Sequence, residues 1–483
     1  MGVSRLSLWL PLLSVLASSQ PSGAVDVSWY PPKSTEINDL DGLLNTTGVY
    51  GFIFDTSKTP DKAYGTYNWC NMPHVRKMEY KVPPKEYKLQ YVEMIHRHHK
   101  RTPYASNTFP EESYPWHCND EGLFYYGQPM SGLDSSQTYW SGFENPMNPF
   151  KAPGFQGTCK FPQITKEGLD DSWQHGRDIY RVYHDKLRFL PRKLDLDKVS
   201  FRVTNNEITS QVAGMLIDGM YSPKRPVPLI VESSSTDTLE PKYSCPRSKN
   251  LFSAAKSAPN TPWSAKVTAS QPLLARLDTV SGVPSDASSW HDSVDPYFDN
   301  LSARLCDSKP LPCSLTDSRK CISRTDAETI FRLGQFEYSY VYRDAPTSLE
   351  ASAGSLGVWV AELTQHLRDQ MRGKDGRMVY RHNIAHDGSV SRLLSILQVD
   401  VMVWPGMGAE VVFELYRKAG RGKGGRDQEF FVRVLFGGQV LTSSSPQLGR
   451  LDLVPAERLL GYFDGLVGVK AAKIKGMCEE AKE

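Results

Sequence analysis

Three short runs in which apolar and polar residues alternate, at 89–95, 199–204 and 378–384, each end in a group of polar side chains, and helix-like stretches separate them. Strands divided by helices form an α/β sheet, and such a sheet offers its ligand site at the carboxyl ends of the strands. The first run leads directly into His96-Arg97-His98-His99-Lys100-Arg101-Thr102-Pro103. The second carries Arg202 near its end and continues into Thr204-Asn205-Asn206, and the third passes through Asn383 to His386-Asp387-Gly388. Cations and imidazoles thus gather where a ligand would lie.

Arg97 and Arg101 are suited to fork onto a tetrahedral oxyanion, and His98 between them offers an imidazole that is largely neutral near its unperturbed pKa of about 6.5. That combination suits phosphoryl transfer. The same eight residues also read as a solvated basic loop, or as a dibasic Lys100-Arg101 processing site in a secreted precursor. The adjacent His386 and Asp387 supply an imidazole to hold an anion and a carboxyl to give a proton.

A chain of 483 residues with 40% apolar content and 11% aromatics has ample material for a large core. Its 56 basic and 54 acidic side chains leave a formal charge of +2, too small a field to hold a polyanion, so nucleic acid is not an expected partner. Arg5, the apolar run 6–16 and the small residues that follow read as a signal peptide over 1–24. That run is too short to span a membrane, which predicts a secreted chain with no membrane anchor. Eight cysteines in an exported chain favour disulfides over metal ligation, with the pairing open. Asn45 and Asn300 begin glycosylation sequons, and each predicts a surface loop carrying an N-glycan.

Residues 25–85, rich in Pro, Asp, Asn and Gly, read as an irregular N-terminal extension. Segments 86–104, 160–221 and 376–445 form the expected α/β core, 105–159 and 222–375 the insertions that make a cap, and 446–483 a C-terminal tail and helix. Thr165 caps a predicted helix whose stripe, Leu169, Trp173, Gly176, Tyr180, Tyr183 and Leu187, is expected to pack on the sheet. Residues 222–322, Ser- and Pro-rich, read as an insertion with few periodic stretches, stapled locally by Cys306, Cys313 and Cys321. Thr325 to Glu328 has capping-box form and opens a helix through Tyr342, with a second helix at about 356–371. The glycine- and cation-rich stretch 418–426 reads as a solvated hairpin loop.

Taken in order, Arg97-His98-His99-Lys100-Arg101-Thr102-Pro103, Arg202, His386-Asp387 and Trp404-Pro405-Gly406 leading into 410–416 resemble the histidine acid phosphatases, the phytase-like branch of the phosphoglycerate-mutase-like superfamily. The resemblance spans about 86–442 and matches the family motif Arg-His-Gly-x-Arg-x-Pro except at its Gly, which is His99 here. It implies a mainly parallel central sheet flanked by helices, with an inserted and mostly helical cap. It also implies a two-step hydrolysis in which His98 attacks phosphorus, Arg97, Arg101, Arg202 and His386 bind the phosphoryl oxygens, and Asp387 protonates the leaving alkoxide. No metal or other cofactor is called for, and the implied substrate is a small sugar, inositol or aryl phosphate.

Two positions depart from the family. His99 puts bulk beside the nucleophile, and a second arginine, six positions beyond the first in many members, is Ile208. His99 and Lys100 are therefore candidate modifiers of the pocket. A competing reading makes the chain a phosphatase-like fold with little or no phosphatase activity, turned to another anionic or carbohydrate ligand.

Of the remaining polar residues, His96 and His117 are expected to be structural, and Glu414 a buried partner of a cation. Trp116 and Trp140 are the surface aromatics best suited to a sugar. No nucleotide loop, metal-spaced His/Cys set or Gly-x-Ser-x-Gly elbow appears in the sequence, so kinase, metallohydrolase and serine-esterase readings have no support.

Overall fold

The computed structural model describes residues 25–49, 68–111, 114–118, 124–127, 136–150, 156–259, 261–418 and 429–479. The signal-peptide segment and residues 419–426 of the expected hairpin loop lie outside these. The strands are β1 (Tyr87–Arg97), β2 (Phe124–Gly127), β3 (Ser136–Tyr139), β4 (Val199–Val203), β5 (Tyr380–Ala385), β6 (Glu410–Lys418), β7 (Glu429–Phe436), β8 (Gln439–Val440) and β9 (Val454–Pro455). Apart from the β2–β3 hairpin they form one sheet in the order β4-β5-β1-β6-β7-β8, with β9 on β7. The strands β4, β5 and β1 run parallel, and β6 joins β1 antiparallel. The three strand ends singled out in the sequence are therefore adjacent, at one edge of an α/β sheet.

Period-two alternation sends the two sides of each strand to different layers. Val92 and Met94 of β1, Phe201 of β4, Ile384 of β5 and Val412 of β6 pack with α2 (Lys166–Tyr180) and α3 (Glu207–Tyr221). Tyr91, Ile95, Phe413 and Leu415 face the larger cluster of α9 (Ser348–Met371), α10 (Asp387–Ile396) and α11 (Ala456–Val467). The remaining helices are α1 (Leu40–Leu44), α4 (Pro246–Ser257), α5 (Pro262–Ser281), α6 (Ser288–His291), α7 (Asp295–Cys306), α8 (Arg324–Ser339) and α12 (Ile474–Cys478).

Several local expectations are corrected. The described residues of 222–322 hold four helices, α4 to α7; Thr261 caps α5, and prolines open α4, α5 and α7, start signals that a reading of composition passes over. The cap of α8 is Ser323, which exchanges hydrogen bonds with Asp326, and not Thr325. Thr165 does cap α2, accepting from the Gly168 N–H, and of the expected stripe Gly176 and Tyr183 are buried and Leu169, Tyr180 and Leu187 pack on the same cluster, while Trp173 is exposed. Gly176 permits a close helix crossing: a Cβ there would lie 2.1 Å from the Leu216 carbonyl of α3.

Four disulfides pair Cys70 with Cys306, Cys118 with Cys159, Cys245 with Cys478 and Cys313 with Cys321. Only the last is the local staple expected, since Cys306 ties α7 to the N-terminal segment. No helix among the described residues is long and apolar enough to cross a membrane. Asn45 is exposed, whereas Asn300 is buried in α7, where it donates to the Asn107 carbonyl and accepts from Arg304, so it forms no surface loop for a glycan.

Candidate active site

The nucleophile position is set by backbone hydrogen bonds. The N–H of His98 donates to the Ala385 carbonyl at the end of β5, and its own carbonyl accepts from Gly408 just before β6. A residue directly after β1 is thus held between the neighbouring strand ends. Nδ1 of His98 lies 2.9 Å from the His99 carbonyl, which only accepts, so Nδ1 carries the proton and Nε2 keeps its lone pair. Burial, reinforced by Arg101 and Arg97, pushes the His98 imidazole well below its ordinary pKa, which keeps it neutral.

Arg97, His98, Arg101, His386 and Asp387 come together. Nε of Arg101 is 3.5 Å from His98 Nε2, and the His98 and His386 rings meet edge to face with centroids 5.4 Å apart. Arg97 donates from Nη1 to the Pro405 carbonyl and pairs through Nη2 with Asp387 at 3.0 Å; its Nε–H is buried with no acceptor among the described residues. His386 caps α10 and contacts the Thr204 hydroxyl at 2.9 Å, with Glu240 at 3.5 Å. Asp387 follows at the first helical position, where it accepts from the Trp404 indole N–H at 2.9 Å and from the Gly388 amide. Trp404 is held flat between Phe298 and Tyr338, at 3.8 and 3.9 Å between ring centroids. Although burial opposes ionisation of Asp387, Arg97, the indole N–H and Arg101 outweigh it and hold this carboxyl below its ordinary range. Without a bound anion it is therefore a carboxylate, and a phosphate dianion beside it would push its pKa up.

Arg202 is not part of this group. It lies on the α9 side of β4, where its guanidinium donates to Glu362 of α9 at 2.7 Å and to Glu232 and Thr238. Two positions further on, just past the strand, Thr204 is the residue that does reach His386. Ile208 sits in the apolar cluster of α2 and α3. Neither expected modifier enters the pocket. Lys100 pairs with Asp171 of α2 at 2.7 Å, and the His99 ring is fully buried with its Nε2 3.1 Å from His175 Nδ1. Room for that ring comes from Gly408, whose φ of +71° suits glycine and where a Cβ would lie 2.4 Å from the imidazole.

Sequence reading missed Asp299 and Glu240 as neighbours of the site, and it singled out Trp404 and Thr204 without foreseeing their contacts with Asp387 and His386. Asp299 of α7 accepts from Arg101 Nη1 at 2.8 Å, from the Tyr104 amide and from Asn107. Only the fold brings α7 there, so no local signal marked it. Glu414 is a buried cation partner as expected: it accepts from Arg433 at 2.7 Å and from Tyr80, Tyr183 and Tyr416. Trp116 is buried and not a surface aromatic, whereas Trp140 is half exposed; His117 is exposed and His96 is fully buried.

A family model described as the histidine phosphatase superfamily (branch 2) matches residues 88–437, which is most of the chain and includes the site. The chain belongs to this family. It is a phosphoric monoester hydrolase of the histidine acid phosphatase type, and its α/β sheet with flanking helices is that family's fold. Counting factor 60 of Dictyostelium discoideum is 22% identical over 373 residues, covering 73% of this chain and 81% of that protein. Human 2-phosphoxylose phosphatase 1 is 22% identical over 405 residues, 79% of this chain and 77% of that one. The phytase of Hafnia alvei, solved with tartrate and with myo-inositol hexakis sulphate, matches at TM-scores of 0.52 and 0.51. Each alignment has 12% identity and covers 80% of this chain and 99% of the phytase, a likeness of fold.

Proposed function

We propose that this chain is a secreted acid phosphomonoesterase that works without a metal in its phosphoryl pocket, through a phosphohistidine on His98 and with Asp387 as proton donor. The observation that carries this reading is the fixed tautomer of His98, which leaves Nε2 as a lone pair flanked by Arg97, Arg101 and His386. Nε2 attacks phosphorus and the ester oxygen leaves on the opposite side, taking a proton from Asp387. Water then attacks the phosphohistidine, giving its proton to Asp387 and releasing phosphate and neutral His98. Arg97 and Arg101 meet the equatorial oxygens.

An acidic optimum follows, because Asp387 must be protonated to act as an acid and its neighbours favour the charged form until phosphate binds. Four disulfides support secretion. With Arg202 taken up by glutamates and Ile208 in the core, two guanidinium groups rather than three hold the phosphate, which predicts a weak ground-state grip. The kinship with a phosphoxylose phosphatase and the fold likeness to a phytase solved with an inositol hexakis sulphate support a small sugar or inositol phosphate as substrate. The test is phosphate release from p-nitrophenyl phosphate between pH 4 and 8 with no added metal. Turnover with an acidic optimum in the wild type, and its loss in His98→Ala, are expected; no turnover, or full turnover by His98→Ala, would refute the reading.

A further inference from the structure

Directly beneath the nucleophile lies a group of imidazoles that the reaction does not use. His96 is the penultimate residue of β1, His99 follows the strand and His175 comes from α2; all three are fully buried, and one nitrogen of each lies within 4.8 Å of those of the other two. We propose that His96, His99 and His175 bind a single first-row transition-metal ion, zinc by the chemistry of the donors.

The hydrogen bonds around His96 and His175 already dispose these two rings as ligands, and His99 has only to move its proton from Nε2 to Nδ1. Nδ1 of His96 donates to the Arg97 carbonyl at 2.7 Å, which leaves Nε2 a lone pair, and that atom is buried with no hydrogen-bond partner. Nε2 of His175 meets the Glu410 carboxylate at 3.0 Å, the outer-sphere arrangement that fixes the tautomer and basicity of a metal-bound imidazole, and its Nδ1 is turned to His99. The lone pair of His96 Nε2, sealed in the interior with nothing to accept, is costly, and an ion accounts for it; His99, facing the ion through Nε2, keeps its proton on the buried Nδ1. His74 stacks on His175 but spends its nitrogens on the Met72 carbonyl and Asp178, so it stands outside the ligand set.

The spacing fits after a small adjustment. Zinc–nitrogen bonds of about 2.0–2.1 Å in a tetrahedral site place ligand nitrogens about 3.4 Å apart. His99 Nε2 and His175 Nδ1 are 3.1 Å apart, and the third ring has to close by at most about 1.4 Å from the 4.8 Å limit. An all-imidazole set suits zinc, copper, nickel or iron and not magnesium or calcium. The ion would tie the end of β1 to α2 and pin His99, whose carbonyl holds the proton on His98 Nδ1. It is thus a positioning site, separate from the phosphoryl pocket and from the proposed reaction.

Because the three rings are fully buried, the ion has to enter as the chain folds. The experiment is elemental analysis of the whole secreted protein, produced in zinc-replete medium and dialysed against EDTA to remove surface metal. About one equivalent of a transition metal per folded chain is expected, and its extended X-ray absorption fine structure should report three imidazole nitrogens at about 2.0 Å. Chains from zinc-depleted medium should melt at lower temperature, and His175→Gln should retain no metal. Folded wild-type protein holding less than about one tenth of an equivalent, or a retained metal with an oxygen-only first shell, would overturn the proposal; the wild-type measurement decides the matter even if the variant fails to fold.

Discussion

Nδ1 of His98 donates to the carbonyl of His99 at 2.9 Å, so the backbone of the residue after the nucleophile decides which imidazole nitrogen is free to attack. The carbonyl, and not the side chain, performs this task, which explains how His99 stands where relatives have Gly: its ring turns into the core over Gly408 and away from phosphate.

His99→Gly is therefore expected to bring no gain in phosphatase activity. Removing a fully buried ring leaves a cavity, and the variant should lose about 2–4 kcal/mol of stability. Chemical denaturation alongside kcat/KM for an aryl phosphate checks both statements. A large rise in activity would mean that the side chain does reach the pocket.

Arg202 is tied to Glu362, Glu232 and Thr238, so Arg202→Ala should affect the fold more than the reaction. Because both glutamates are partly exposed, the expected cost is about 1–2 kcal/mol, with kcat/KM within about threefold of wild type. Arg97→Ala should lower kcat/KM by about 100–1,000-fold, and parallel steady-state kinetics separates the two arginines.

Much of the site was legible because its residues lie close in sequence at strand ends: Arg97 closing β1 with His98 and Arg101 after it, His386 and Asp387 after β5. The placing of Arg202 failed because packing supplies it with other anions: Glu362 of α9 and Glu232 take up its guanidinium before it reaches the strand end. Asp299 and His175 were illegible because helix packing alone brings them to the strand ends.

Asp299 holds Arg101 from a different helix, and Asp299→Asn keeps the shape while removing the charge. Arg101 then has no fixed anion to orient it, and kcat/KM should fall by about 10–100-fold with little change in melting temperature. A variant as active as wild type would show that Arg101 is positioned without this partner.

Asp307 is buried, accepts from the Thr165 hydroxyl at 2.6 Å, and is pushed by burial from 3.8 up to about 8. A carboxyl raised in the folded state contributes stability that is fully present below its unfolded pKa and is lost as pH rises through the folded value. Wild type should thus lose stability relative to Asp307→Asn between pH 4 and 8. The buried histidines titrate alike in both proteins and drop out of the difference. At pH 8 the variant should melt about 5 °C or more above its standing relative to wild type at pH 4.5. A pH-independent difference in melting temperature would contradict the assignment.

The central claim is that phosphorus passes through Nε2 of His98. Wild-type protein mixed with saturating p-nitrophenyl phosphate at acidic pH, quenched within milliseconds into alkaline denaturant and digested, should yield a peptide bearing phosphate on the His98 imidazole, at a level that rises with the initial burst of p-nitrophenol. Steady release of phosphate with that peptide unmodified at every quench time, or with the label on another residue, would contradict it.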